Sequence, residues 1–149
     1  MLLDWWNQEK IHRTSVYLVA DEPLAYIAAI TLIAIGYGKI VIIGSREVKN
    51  FKILFQDFDG NFPIGVAKFV ERYLMPHIPN YRIKVEPLTI NLASDGALSL
   101  VEHIIKNDEN ETKVLLDFSN SPIVKRYVRK LLRRTKLMTY MVSLAGDLK

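Results

Sequence analysis

The sequence predicts an α/β protein, a mainly parallel sheet of about five strands with helices on both faces. Three observations point to it. Short apolar runs rich in β-forming residues alternate with longer helical segments along the chain. Glycine and proline fall at the junctions between them. The chain has 149 residues, half of them hydrophobic, enough for one domain that buries about two thirds of its unfolded surface. No repeat, low-complexity stretch or linker divides it. Residues 1–149 therefore read as a single domain, with residues 1–14 as an N-terminal arm or short helix.

Val16 to Ala20 is an apolar run that reads as a buried strand. Asp21-Glu22-Pro23 follows, and Pro23 suits the start of a helix because its missing N–H would be unpaired there anyway. The helix runs to about Ile35 and stops at Gly36-Tyr37-Gly38. Ile40 to Ile43 forms a second buried strand. Residues 45–63 read as irregular, with a turn at Asp57 to Asn61. Ile64 to Met75 has helical spacing at Val66, Phe69, Val70, Tyr73 and Leu74, with Pro76 and Pro79 closing it. Tyr81 to Val85 alternates apolar and basic residues, as a more exposed strand would. Ser94 and Asp95 are candidate N-caps for a helix whose inner face is Ala97, Leu100, Val101, Ile104 and Ile105. Asn107 to Thr112 is a polar loop. Lys113 to Phe118 reads as a buried strand, Ser121-Pro122 opens a helix to about Arg134, and Leu137 to Leu144 reads as a last strand. This order describes a three-layer, Rossmann-like sandwich.

Composition excludes several classes of function. There is no cysteine, hence no disulfide scaffold, thiolate metal site or cysteine nucleophile. His12, His77 and His103 lack ligand spacing, so no metal is expected. No serine sits in a G-x-S-x-G setting. The longest apolar run, Leu24 to Ile35, is shorter than the roughly 20 residues of a membrane span, and no signal peptide is indicated. A cytoplasmic protein without a membrane partner is the expectation. Trp5-Trp6 reads as an aromatic pair covering the domain's edge, or as a homodimer contact.

Several segments resemble, in order, the landmarks of the ThiF/MoeB family and its relatives, the ubiquitin-activating enzymes. Gln8 to Ile43 resembles the family's basic lead-in, first strand, Ala-rich helix and glycine-marked entry to the second strand. Ile53-Leu54-Phe55 with Asp57 to Gly60 resembles its "ILF…D-x-G" segment. The helix ending near Pro79-Asn80, followed by Val85-Glu86, resembles a later "P-x-x-x-V", and Asp117-Phe118-Ser119-Asn120-Ser121 resembles D-x-T-D-N. The resemblance covers most of the chain. It implies enzymes, usually dimeric, that use Mg-ATP to adenylate the C-terminal carboxylate of a ubiquitin-like protein.

The residues at the family's site depart from that chemistry. The turn that would cradle phosphates is Ala20-Asp21-Glu22-Pro23. It has no glycine, Pro23 removes a donor, and two carboxylates stand where an anion would lie. Asp21 and Glu22 can instead satisfy the helix end, each contributing about 0.3–1 kcal/mol. They could also hold a metal or ribose hydroxyls. Gly44 stands where the family has a ribose-binding acid. The family's ATP-contacting cations would fall near Phe51 and Pro63, with Lys49 and Lys52 as the substitutes. Asp117 and Ser119 match, but Asn120 replaces an acid that helps hold magnesium, and an amide is a poorer ligand for that ion. The chain thus reads as a short, degenerate member, with Ala20, Asp21, Glu22, Gly44, Asp117, Ser119 and Asn120 as the ligand-site candidates and no catalytic residue.

The net charge of +4 comes from 20 basic against 16 acidic residues. It concentrates on the last helix, where Lys125, Arg126, Arg129, Lys130, Arg133 and Arg134 fall on one side and Ile123, Val124, Tyr127, Val128, Leu131 and Leu132 on the other. Three readings follow. The chain is a non-catalytic structural or regulatory partner; or it binds a changed nucleotide-type ligand such as ATP, NAD or S-adenosylmethionine; or it is an adaptor whose basic helix docks nucleic acid or an acidic protein.

Overall fold

The computed structural model describes residues 7–19, 24–45, 62–77, 83–135 and 137–141. The elements are α1 (Gln8–His12), β1 (Thr14–Val19), α2 (Leu24–Ile35), β2 (Lys39–Gly44), α3 (Phe62–Phe69), β3 (Lys84–Thr89), α4 (Ala97–Lys106), β4 (Thr112–Asp117), α5 (Pro122–Arg134) and β5 (Met138–Met141). The five strands form one sheet in the order β3-β2-β1-β4-β5, and every neighbouring pair is parallel. This is the doubly wound order, with the chain starting at β1, building outward to β3, and returning across β1 to add β4 and β5.

Side-chain alternation along the strands divides the core between two faces. Val16, Leu18, Ile40 and Ile42 pack under Ala29, Leu32 and Ile33 of α2 and Val66 of α3. Tyr17, Val19, Val41, Ile43 and Leu115 pack under Leu98, Val101 and Ile105 of α4 and Val128 and Leu131 of α5. All six residues of β1 are buried, because it is covered on both faces and paired on both edges.

The glycine stop after α2 has two distinct jobs. Gly36 adopts φ 103° and its N–H caps the carbonyls of Leu32 and Ile33, the left-handed ending that favours glycine. Gly38 is needed for space: a Cβ there would overlap the backbone carbonyl of His12 at the end of α1. Gly38→Ala is therefore expected to cost about 1–3 kcal/mol, read as a lowered midpoint in chemical denaturation. An unchanged midpoint would show that α1 does not hold this position.

Four expectations need correction. The third helix begins at Phe62, is α-helical only to Phe69, and continues as a π-helical turn (Val70–Leu74) and a 3-10 turn (Met75–His77). Pro76 lies inside that last turn and has no N–H to give the carbonyl of Arg72 an α-helical bond. The third strand runs from Lys84 to Thr89, later than the basic alternation suggested. It includes Pro87, which a strand tolerates only at an edge. The N–H group of Lys84 donates to Gly38, just before β2, and that of Ile90 to Gly44 at its end, so even-numbered nitrogens face β2 and that of Pro87 faces outward. The N-cap of α4 is Gly96, not Ser94 or Asp95, and the buried face is Ala97, Leu98, Val101 and Ile105 with Leu100 exposed. On α5, Ile123 is exposed rather than inward.

Ser121 caps α5 as expected, its hydroxyl accepting from the Val124 N–H with Pro122 in the first turn. No helix among the described residues is long and apolar enough to cross a membrane. Trp5-Trp6, the turn at residues 57–61, Pro79, Tyr81 and the extension of the last strand to Leu144 lie outside the described residues.

Candidate functional site

In a doubly wound sheet, ligands bind beyond the carboxyl ends of the strands, where the winding reverses. Here that point lies between β1 and β4, whose last residues, Val19 and Asp117, are direct neighbours. The Phe118 N–H donates to the Val19 carbonyl at 2.8 Å, tying the two strand ends together.

Asp117 is fully buried. One carboxylate oxygen, Oδ1, accepts from the Ser119 N–H at 2.8 Å and from the Ser119 hydroxyl at 2.5 Å. The other, Oδ2, faces the Lys125 ammonium at 3.4 Å, and the Lys125 side chain is itself only 22 % exposed. The loop Phe118–Ser121 thus folds back on the carboxylate that precedes it, and the helix that follows supplies the counter-charge.

The candidates separate as follows. Asp117 and Ser119 come into direct contact. Asn120, next in the chain, is exposed. Gly44 ends β2 on the other side of β1, buried, with its carbonyl accepting from the Ile90 N–H. A small recess of about 20 Å³ lies beside it, lined by Val19, Ile43, Ser45, Asn91, Leu92 and Val124 among others, room for about one water. Ala20, Asp21 and Glu22 lie outside the described residues.

Lys125 is the residue that sequence reasoning misplaced. As one of six cations on an amphipathic helix it reads as solvated surface, yet it belongs to the buried end of β4. A signal was available: Lys125 is four residues past the N-cap Ser121, and helical side chains lean toward the N-terminus, back over the loop that begins at Asp117. Arg134 is also paired, at 3.6 Å from Glu102 of α4. The six cations are therefore not one uniform face without neighbouring acids.

A second polar cluster lies at the opposite end of the sheet. The Tyr17 hydroxyl donates to Asp108 Oδ2 at 2.5 Å, the Asn110 N–H donates to Asp108 Oδ1, and the Asn110 side chain donates to Ser15. Lys39 stands 3.9 Å from Asp108 and 3.8 Å from Glu86. Burial, reinforced by the bond to Asp108, pushes the Tyr17 hydroxyl well above the usual phenol range, so it remains a donor. Burial alone would raise Asp108. The bonds from Tyr17, Ser15 and the Asn110 N–H, with the charge of Lys39, outweigh it and hold the carboxyl below its ordinary value. Every member faces another member, as in a structural network rather than an open site.

No family model and no curated protein matches the sequence. Solved structures do match. E. coli MccB with ATP aligns with a TM-score of 0.68 at 18% identity, over 94% of this chain and 40% of that one. A structure of TcdA (CsdL) aligns with a TM-score of 0.67 at 15% identity, over 95% and 53%. E. coli TcdA, a tRNA N6-threonylcarbamoyladenosine dehydratase, in complex with AMP gives 0.65 at 14%, over 95% and 56%. The chain spans about two fifths to just over half the length of these structures. Its fold is the Rossmann-like α/β architecture that these structures display.

Proposed function

We propose that the chain is a non-catalytic ThiF/MoeB-like domain with a degenerate ATP site, acting as a structural or regulatory partner of another protein. The state of Asp117 carries this reading. A carboxylate that accepts two hydrogen bonds on one oxygen and faces a resident ammonium on the other is a poor ligand for magnesium, which demands near-ideal oxygen geometry. Asn120 adds an amide where the family resemblance implies a second acid. These residues do not fit a Mg-ATP site, and the two acids Asp21 and Glu22 in the sequence argue the same way. The proposal treats residues 1–149 as one domain and includes the homodimer that the resemblance implies.

The purified chain is expected to catalyse no ATP–pyrophosphate exchange above background with magnesium present. Exchange that depends on Asp117 would sink the proposal.

One observation favours a second reading, a nucleotide-type ligand bound in a changed way. The reversal of winding between β1 and β4 leaves the usual position for such a ligand in this topology. Stabilisation in a thermal-shift series with ATP, NAD and S-adenosylmethionine would favour that reading, since a ligand that binds only the folded state must raise the melting temperature.

A further inference from the structure

The outward side of α5 carries a feature that the ligand site does not use. With Lys125 committed to Asp117 and Arg134 to Glu102, four cations remain on the helix: Arg126, Arg129, Lys130 and Arg133. All four are exposed. Their spacing of three, four and seven residues puts them on one stripe, about 10 Å long at 1.5 Å per residue. Among the described residues none forms an ion pair with a carboxylate, and α5 contains no Asp or Glu. Like charges at this spacing repel one another, and a merely solvated face would interleave acids.

We infer that this stripe binds the phosphate backbone of a double-helical nucleic acid without reading its sequence. Three features favour that partner. Guanidinium forks match phosphate oxygens two at a time, and three of the four cations are arginine. Over its length of about 10 Å a duplex presents about six phosphates, at one per roughly 1.7 Å of axis with both strands counted, enough for all four cations. It also lacks the desolvated apolar or aromatic centre that anchors a protein partner. Val128 and Leu131 are wholly buried, Tyr127 is half-buried with the Lys130 ammonium 5.0 Å above its ring, and exposed Ile123 sits at the N-terminal end, beyond the stripe. Backbone binding needs no such anchor, because released counterions drive it. The inference does not rest on the fate of the ATP site.

The test is fluorescence anisotropy of the 149-residue chain with short random-sequence DNA duplexes. With four phosphate contacts, log K is expected to fall with log salt at a slope of about −3.6, a loss of about 150-fold between roughly 50 and 200 mM. Permuting the duplex sequence should leave affinity unchanged. The double variant Arg129→Glu, Arg133→Glu should abolish binding. The neutral pair Arg129→Gln, Arg133→Gln should keep the wild-type melting temperature and halve the slope to about −1.8; it decides the matter if the charge reversal disturbs folding. No binding at low salt, or an unchanged slope in the neutral pair, would overturn the inference. So would tighter binding of polyglutamate than of duplex at equal charge, which would point to an acidic protein instead.

Discussion

Lys125→Met is expected to lower the stability of the fold by about 2–3 kcal/mol, near the lower end of the range for breaking a buried ion pair by removing one partner. The ammonium is removed from beside a carboxylate that is fully buried, so Asp117 loses its nearest cation. The two bonds from Ser119 remain, and the partial exposure of Lys125 lets water reach the gap. Both soften the loss below the full range. For a chain of this size the expected fall in melting temperature is about 5–10 °C. Asp117→Asn in the same background should recover part of it, because the buried carboxyl without a cationic partner is then replaced by a neutral amide. A double-mutant cycle separates this coupling from the packing of the lysine stem. If Lys125→Met and the double variant melt together with the wild type, the pair is incidental and the case against a metal at Asp117 loses its main support.

Tyr17→Phe should cost about 1–3 kcal/mol, since a short bond is lost and a buried carboxylate oxygen is left under-satisfied. Asp108→Asn tests the charge itself. The Asp108 carboxyl is held below its ordinary value, about 3.9 in an unfolded chain. Its contribution to stability is therefore fully present above that value and lost as pH falls through the lowered folded value. The wild type should exceed Asp108→Asn in unfolding free energy at neutral pH, and the difference should shrink as pH falls below about 4. Urea titrations at several pH values measure this. A difference that stays constant with pH would mean that the amide substitution acts through shape rather than charge.

How much was legible in the sequence depended on how local the cause was. The apolar run Leu24–Ile35 and its glycine stop are legible directly, because a continuous apolar stretch and a left-handed C-terminus are properties of adjacent residues. The same holds for the Ser121-Pro122 start of α5. The third strand was misplaced because Pro87 is acceptable only at an edge, and edge position is a property of strand order. The inner face of α4 was shifted at one position, with Leu98 inside and Leu100 outside, because both fit an apolar helical stripe within its tolerance. Of the site, the sequence marks Asp117 and Ser119 as candidates but not that they bind each other.

The sequence alone determined the alternation of strands and helices and the mainly parallel, Rossmann-like sandwich that follows from it. Each depends on side-chain period and turn chemistry over a few residues. Only the tertiary structure decided that Lys125 belongs to Asp117, that Arg134 belongs to Glu102, and that Tyr17 donates to Asp108 across 91 residues. These pairings depend on which strand ends and helices the sheet brings together, and charge along one helix carries no record of what the rest of the chain places beside it.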